Sequence, residues 1–163
     1  MGCVPSKQVA PAQSIVVPTV VPASQSASIN VSELKALEKC TSLDGMIFDA
    51  KVVDVYDGDT ITFTFMNKNE QVQYKGRMAH YDSPEMKPLK TTPDREKHVA
   101  AAYAARDALR GLILDKVVRV QAYKNEKYGR TLIDVFLGGV YINQWMVDNK
   151  YGVPYEGGTK QPF

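Results

Sequence analysis

From residue 44 onward, apolar and polar positions alternate in short runs, interrupted twice by stretches with helical spacing. Residues 46–56 form the first alternating run, with Ile47, Val53 and Val55 as its apolar, β-prone members. Ile61-Thr62-Phe63-Thr64-Phe65 is a cleaner one. Residues 71–78 make a third, with Val72, Tyr74 and Met78 in step. Asp57-Gly58 predicts a turn between the first two strands, and polar residues 67–70 predict a hairpin loop between the second and third. Residues 79–92 hold Pro84, Pro88 and several lysines and read as a loop. Thr92-Pro93-Asp94-Arg95-Glu96 then predicts a helix start, with Thr92 as the capping hydroxyl, Pro93 at the first helical position and acids facing the helix dipole. That helix is expected to reach about residue 114, with Val99, Ala102, Leu109, Leu112 and Ile113 along one side. Residues 117–123 and 131–137 read as two further strands, separated by a charged turn over 124–130. Gly138-Gly139 turns the chain into a second amphipathic helix over 141–149, striped by Ile142, Trp145 and Met146.

Three strands, a helix, two strands and a helix make an α+β chain that is mainly β. Five strands with a helix between the third and fourth, and a second helix after the fifth, is the order of an OB-fold barrel. This domain is expected over 44–163. Residues 8–43 differ in kind: Val, Pro, Ala, Ser and Gln with almost no charge up to about residue 30, where Pro11, Pro18 and Pro22 block a long helix. A short helix with Ser32 as cap is expected over 32–39.

The chain has 163 residues and a formal net charge of +2, which does not announce a nucleic-acid binder. From Asp44 onward there are 17 Lys and Arg against 16 Asp and Glu. Setting aside Asp57, Asp59, Asp82 and Glu85 leaves 12 acids, a balance that favours a polyanion near those four. Cys3 and Cys40 are too few for a disulfide framework. No apolar run is long enough to span a bilayer, and no secretory signal pattern is present. Residues 1–7, Met-Gly-Cys-Val-Pro-Ser-Lys, fit an acylation pattern: Gly2 for myristate, Cys3 beside it for palmitate. Two chains give stable membrane attachment where one is marginal. The expectation is a domain tethered to the cytoplasmic face of a membrane in a eukaryotic cell or one infected by a virus.

Asp57 and Asp59 flank a glycine at the first turn, and Asp82 and Glu85 follow the third strand in Asp82-Ser83-Pro84-Glu85. Hydrolysing a phosphodiester requires a hard cation with oxygen ligands, a base for the attacking water and cationic donors for the phosphorus oxygens. Arg77, near the end of the third strand, and Arg130, in the turn after the fourth, supply such donors bidentately. His80 and His98 stand alone, and no Cys/His cluster suggests zinc.

Asp57-Gly58-Asp59-Thr60, Arg77, Asp82-Ser83-Pro84-Glu85 and Lys127-Tyr128-Gly129-Arg130, in this order, resemble the staphylococcal (micrococcal) nuclease family, also called thermonuclease-like. The resemblance implies an endonuclease that cuts DNA and RNA with one bound Ca2+ and leaves 3'-phosphates. By the same resemblance Asp59 and Asp82 would ligate Ca2+ through carboxylates and Ser83 through its backbone carbonyl. Asp57 would support the metal or its waters from behind. Glu85 would be the general base, and Arg77 and Arg130 would clamp the phosphate. Lys127, Tyr128 and Tyr155 would contact substrate. Lys87 and Lys90 could attract the phosphate backbone, against the plainer reading of a solvated loop. Three departures from the family pattern stand out: Ser83 in place of Thr, His80-Tyr81 in place of a small or apolar pair, and a short C-terminal tail. A monomer is expected. The competing reading is a non-catalytic module on the same fold that binds nucleic acid or protein.

Overall fold

The structure, a computed structural model, describes residues 42–126 and 129–158. The acylation residues Gly2 and Cys3, the helix expected over 32–39, Cys40, Lys127 and Tyr128 lie outside the described residues.

In chain order the elements are β1 (Ile47–Val55), β2 (Thr60–Asn67), β3 (Glu70–Met78), β4 (Tyr81–Asp82), α1 (Arg95–Ile113), β5 (Val117–Asn125), β6 (Thr131–Leu137), β7 (Val140–Tyr141), α2 (Ile142–Asp148) and β8 (Val153–Pro154). The large sheet runs β3-β2-β1-β5-β6-β7, and β3 pairs with β6 as well. That last pairing is parallel, with Gly76 opposite Thr131 and Arg77 opposite Leu132, whereas the other pairings in this sheet are antiparallel. It closes a five-stranded mixed β-barrel with two helices, an OB-type α+β fold. Closure leaves the barrel strands without a free edge.

Inward positions fill the barrel with Val52, Ile61, Phe63, Tyr74, Val120 and Ile133, all buried. Phe48 stacks on Phe65 at 3.9 Å and extends the aromatic cluster outward. Helix α1 buries Ala102, Ala105, Leu109 and Ile113, spaced by three or four residues, against this core. Two of the four are alanines, so the helix axis can lie close to the barrel.

Three local expectations are corrected. In β1 the register shifts between Val52 and Asp54, so the alternation changes phase mid-strand. Ile47 consequently faces outward at 61% exposure, and Ala50, Val52 and Val55 are the buried members. Helix α1 begins at Arg95, not at Pro93: Asp94 is its N-cap, left-handed at φ 47°, with no side-chain cap. Thr92 N instead donates to Leu89 O at 3.0 Å, so Thr92 closes the turn before the helix. The loop after β3 and the tail after α2 are joined, since β4 pairs with β8, Tyr81 opposite Pro154 and Asp82 opposite Val153. Strands of two residues carry no periodicity by which a sequence could reveal them.

A buried polar cluster fixes α2 to the barrel. Asn143 Nδ2 donates to Ala79 O, Ile133 O and Asp134 Oδ1, and its Oδ1 accepts from Val135 N. Asp134 also accepts from Tyr123 at 2.6 Å and Tyr141 at 2.8 Å. Burial, then the bond to Asp134, pushes both tyrosine hydroxyls above their usual titration range.

Candidate active site

The turn between β1 and β2 is built by its own first acid. Asp57 Oδ1 accepts hydrogen bonds from Asp59 N at 3.0 Å and Thr60 N at 2.7 Å, an Asx turn that aims Asp59 inward. Gly58 is required for space rather than for an unusual φ. A Cβ there would lie 2.8 Å from the Cβ atoms of both Ala105 and Ser83. The turn thus touches α1 on one side and the Asp82-Ser83 segment on the other. Tyr81, fully buried, donates its hydroxyl to Gly58 O at 2.7 Å. Burial, then the charges of Asp59 and Asp57, holds that hydroxyl protonated well above the usual tyrosine range.

Arg77 enters from β3, where it lies opposite Thr60. Its NH2 is 2.6 Å from Asp82 Oδ1 and 3.3 Å from Asp59 Oδ2. Its Nε is 3.5 Å from Glu126 Oε1. Arg130, at the start of β6, donates from Nε (3.1 Å) and NH2 (2.8 Å) to Glu126 Oε2. Its NH1 donates to Thr60 Oγ1 at 3.1 Å, and Thr60 donates onward to Asp59 Oδ1 at 3.0 Å. The contacts close a ring: Asp59, Thr60, Arg130, Glu126, Arg77 and back to Asp59. The parallel β3–β6 pairing makes it possible by setting Arg77 beside the strand that Arg130 opens.

The ring forms the floor of a cleft of about 580 Å3, lined also by Tyr56, Asp57, Ser83, Pro84, Glu85, Tyr155 and Gly158. Glu85 is exposed on its wall. Tyr155 faces Arg77 at 5.8 Å from the guanidinium carbon to the ring centre. Its segment is held by Tyr155 N donating to His80 O at 3.0 Å and by His80 Nδ1 lying 2.9 Å from Glu156. Of the sequence-predicted residues, Asp57, Asp59, Arg77, Ser83, Glu85, Arg130 and Tyr155 meet at this cleft, with Asp82 buried beneath it. Lys127 and Tyr128 lie outside the described residues. Local sequence assigns no role to Thr60 or Glu126. Thr60 lies inside the Asp57-Gly58-Asp59-Thr60 motif, and Glu126 is one of several charges in the 124–130 turn with nothing to set it apart.

Asp59 is 4% exposed, and its carboxyl is pushed up to about 7. Burial is the largest cause and the charge of Asp57 the next, opposed by Arg77 and the Thr60 hydrogen bond. For Arg77, burial alone would lower its pKa, but the charges of Asp59, Asp82 and Glu126 outweigh it, so the guanidinium stays charged.

Could this floor hold a cation? Asp57, Asp59, Asp82, Glu85 and Glu126 put five carboxylates against the two guanidiniums of Arg77 and Arg130. Such an acidic excess would repel a phosphate unless a cation shares the site. The donors are all oxygen, which suits a hard ion such as Ca2+. A carboxyl as reluctant to ionise as Asp59 is one that a cation would stabilise. Among the described residues no group of three or more His, Cys, Asp or Glu side chains is gathered around one ion position. Asp59 and Asp82 are the two buried carboxylates that share a common partner, the Arg77 NH2. The residues fit a cation held by two carboxylates with further oxygens from backbone or water.

Comparison with known proteins agrees with this geometry. A family model described as staphylococcal nuclease homologue matches residues 75–161. That stretch holds Arg77, Asp82, Ser83, Glu85, Glu126 and Arg130, while the Asp57–Asp59 turn precedes it. An uncharacterized protein of Bacillus anthracis is 32% identical over 103 residues, which is 63% of this chain and 45% of that protein. The chain therefore spans less than half the length of this relative.

Proposed function

The chain belongs to the staphylococcal nuclease homologue family, and we propose that its cleft hydrolyses phosphodiester bonds of DNA and RNA with a bound Ca2+. The observation that carries this reading is the closed ring of Asp59, Thr60, Arg130, Glu126 and Arg77 over buried Asp82. It sets two guanidiniums, groups suited to phosphate, beside two buried carboxylates.

Asp59, Asp82 and the Ser83 carbonyl would hold the Ca2+, which supplies charge neutralisation at the phosphorus oxygens when bound. Arg77 and Arg130 bind the non-bridging oxygens of the scissile phosphate and are strongest when five-coordinate phosphorus carries the most charge. Glu85, exposed on the cleft wall, takes a proton from the attacking water. The water oxygen bonds to phosphorus as the bond to the 5' oxygen breaks; the leaving 5' oxygen takes a proton from solvent and Glu85 returns its proton to solvent, leaving a 3'-phosphate and a 5'-hydroxyl. Asp57 sustains the turn that presents Asp59. Tyr155 offers a ring face to the substrate, and Lys127 and Tyr128 are proposed as further contacts to it. The protein is proposed to act as a monomer, held to a membrane through acyl chains on Gly2 and Cys3.

The deciding experiment is digestion of single- and double-stranded DNA and of RNA by the whole chain, in Ca2+, in Mg2+ and in EGTA. Cleavage in Ca2+ that EGTA abolishes supports the reading, and activity unaffected by EGTA sinks it. Binding without cleavage under all three conditions would support the non-catalytic module instead. For the anchor, Gly2→Ala is expected to move the protein from the membrane fraction to the soluble one, and unchanged fractionation overturns that part.

A further inference from the structure

Glu126 lies between the two arginines of the cleft. Oε1 is 3.5 Å from Arg77 Nε, and Oε2 accepts two hydrogen bonds from Arg130, at 3.1 and 2.8 Å. One carboxylate thus offers one oxygen to each arginine, as the two non-bridging oxygens of a phosphodiester would. We propose that Glu126 is an internal stand-in for the substrate phosphate, holding both arginines in the empty cleft and yielding its place when a phosphodiester enters. The proposal rests on the phosphodiesterase reading of this same cleft.

Two features support displacement over a fixed structural role. First, Glu126 can be reached. Its side chain is 22% exposed and lines the cleft, whereas Asp82, which grips the same Arg77 from beneath, is fully buried. An incoming anion can compete with the first and not with the second. Second, the two contacts are unequal. Arg130 makes a doubled charge-assisted bond, while Arg77 makes only a 3.5 Å ion pair. The Arg77 side therefore opens first, and the carboxylate can swing aside while still attached to Arg130.

The backbone brings the three side chains together. Glu126 N donates to Arg130 O at 2.7 Å, and Gly129 N donates to Glu126 O at 3.0 Å. This places the side chains of residues 126 and 130 side by side, and the β3–β6 pairing brings Arg77 to them. Two guanidiniums would otherwise repel across a narrow cleft, and a carboxylate between them removes that repulsion until substrate supplies its own negative charge. Glu126 is a positioning residue: it acts through the arginines, at the cost of competing with the ligand.

The test compares wild type with Glu126→Gln, close to isosteric but uncharged, and Glu126→Ala. Binding of a hydrolysis-resistant phosphorothioate-linked dinucleotide is measured by calorimetry in Ca2+, at 0.1 M and at 1 M salt. Both variants are expected to bind roughly tenfold tighter or more, the worth of one charge-assisted contact no longer in competition. The gain should persist at 1 M salt, where charges farther than about 3 Å are screened. With cleavable DNA, KM should fall in both variants while kcat also falls, because the arginines are no longer pre-set. Variants that bind equally or more weakly, while wild type binds, overturn this proposal alone. A gain that vanishes at 1 M salt overturns it too, since it would reflect only the charge of the cleft. If wild type itself does not bind, the functional reading fails, and this proposal with it.

Discussion

Asp59 carries the sharpest single-residue consequence. Its carboxyl is raised from 3.8 to about 7, mainly by burial. Between those values the folded protein holds a proton that the unfolded chain has lost, so stability of the metal-free protein falls as pH rises from about 4 to about 7. The slope for one group is at most about 1.4 kcal/mol per pH unit. Thermal unfolding in EGTA should therefore give a lower Tm at pH 7 than at pH 5, and Asp59→Asn should remove most of that slope. Added Ca2+ should recover stability at pH 7 and do little at pH 5, because there the ion must compete with a proton. A Tm in EGTA that rises over this window would contradict the burial argument. Arg77 and Arg130 act in the opposite sense, as permanent charges aimed at the cleft. Arg77→Ala or Arg130→Ala is expected to lower kcat by about 10²-fold or more, as removal of one preorganised donor does. Single-turnover cleavage in Ca2+ checks this. The Arg77 change should also cost stability, since it leaves Asp82 buried without its 2.6 Å contact.

Among the elements, the contact of the β1–β2 turn with α1 is the tightest link between chemistry and scaffold. Gly58 and Ala105 leave no room for another methyl group. Gly58→Ala is expected to destabilise by about 1–3 kcal/mol through overpacking and to weaken Ca2+ binding by moving Asp59. Adding Ala105→Gly removes one of the two 2.8 Å contacts and leaves the one with Ser83, so it should restore part of the Ca2+ affinity, at a helix cost of about 1 kcal/mol. Urea unfolding together with calcium titration of the single and double variants measures both effects, and strictly additive losses would show that the two residues do not compete for the same space. The small strands matter in the same way. The β4–β8 pair is only two residues long, yet it brings Tyr155 to the cleft beneath which Asp82 is buried, although the two are far apart in the chain.

At the scale of the molecule, one buried side chain joins the parts that closure brings together. Asn143 ties α2 to β6 and to the chain just after β3 through four hydrogen bonds. Asn143→Ala would take from Ala79 O and Val135 N the partner that Asn143 supplies, at about 1–3 kcal/mol each, while Ile133 O still accepts from Ala79 N and Asp134 from Tyr141. A fall in Tm of well over 5 °C is expected for a domain of this size, and a smaller fall would mean that the network is not what secures α2. Barrel closure also sets the limit of what could be read from the chain alone. Strand order, helix placement and the two acidic motifs were legible, because alternation, helical spacing and Asp-Gly turns are local signals. The β1 register shift was not, since a bulge reverses the phase of an alternation without changing its composition. Nor was the start of α1: Thr92 and Pro93 form a good cap pattern, but Asp94 takes a left-handed backbone at φ 47°, so the helix can begin only after it.

By itself, then, the sequence determined five strands and two helices in OB order, and it placed Asp57, Asp59, Arg77, Asp82, Ser83, Glu85 and Arg130 near strand ends where they could meet. Each of those follows from neighbours within a few residues. The tertiary structure alone decided that Thr60 joins Asp59 to Arg130, that one carboxylate of Glu126 spans both arginines, and that Gly58 serves close packing and not backbone freedom. Those facts depend on the parallel β3–β6 pairing and on the seat of α1 against the turn. Their deciding contacts, Thr60 with Arg130, Glu126 with Arg77 and Gly58 with Ala105, join residues dozens of positions apart, and no local pattern encodes them.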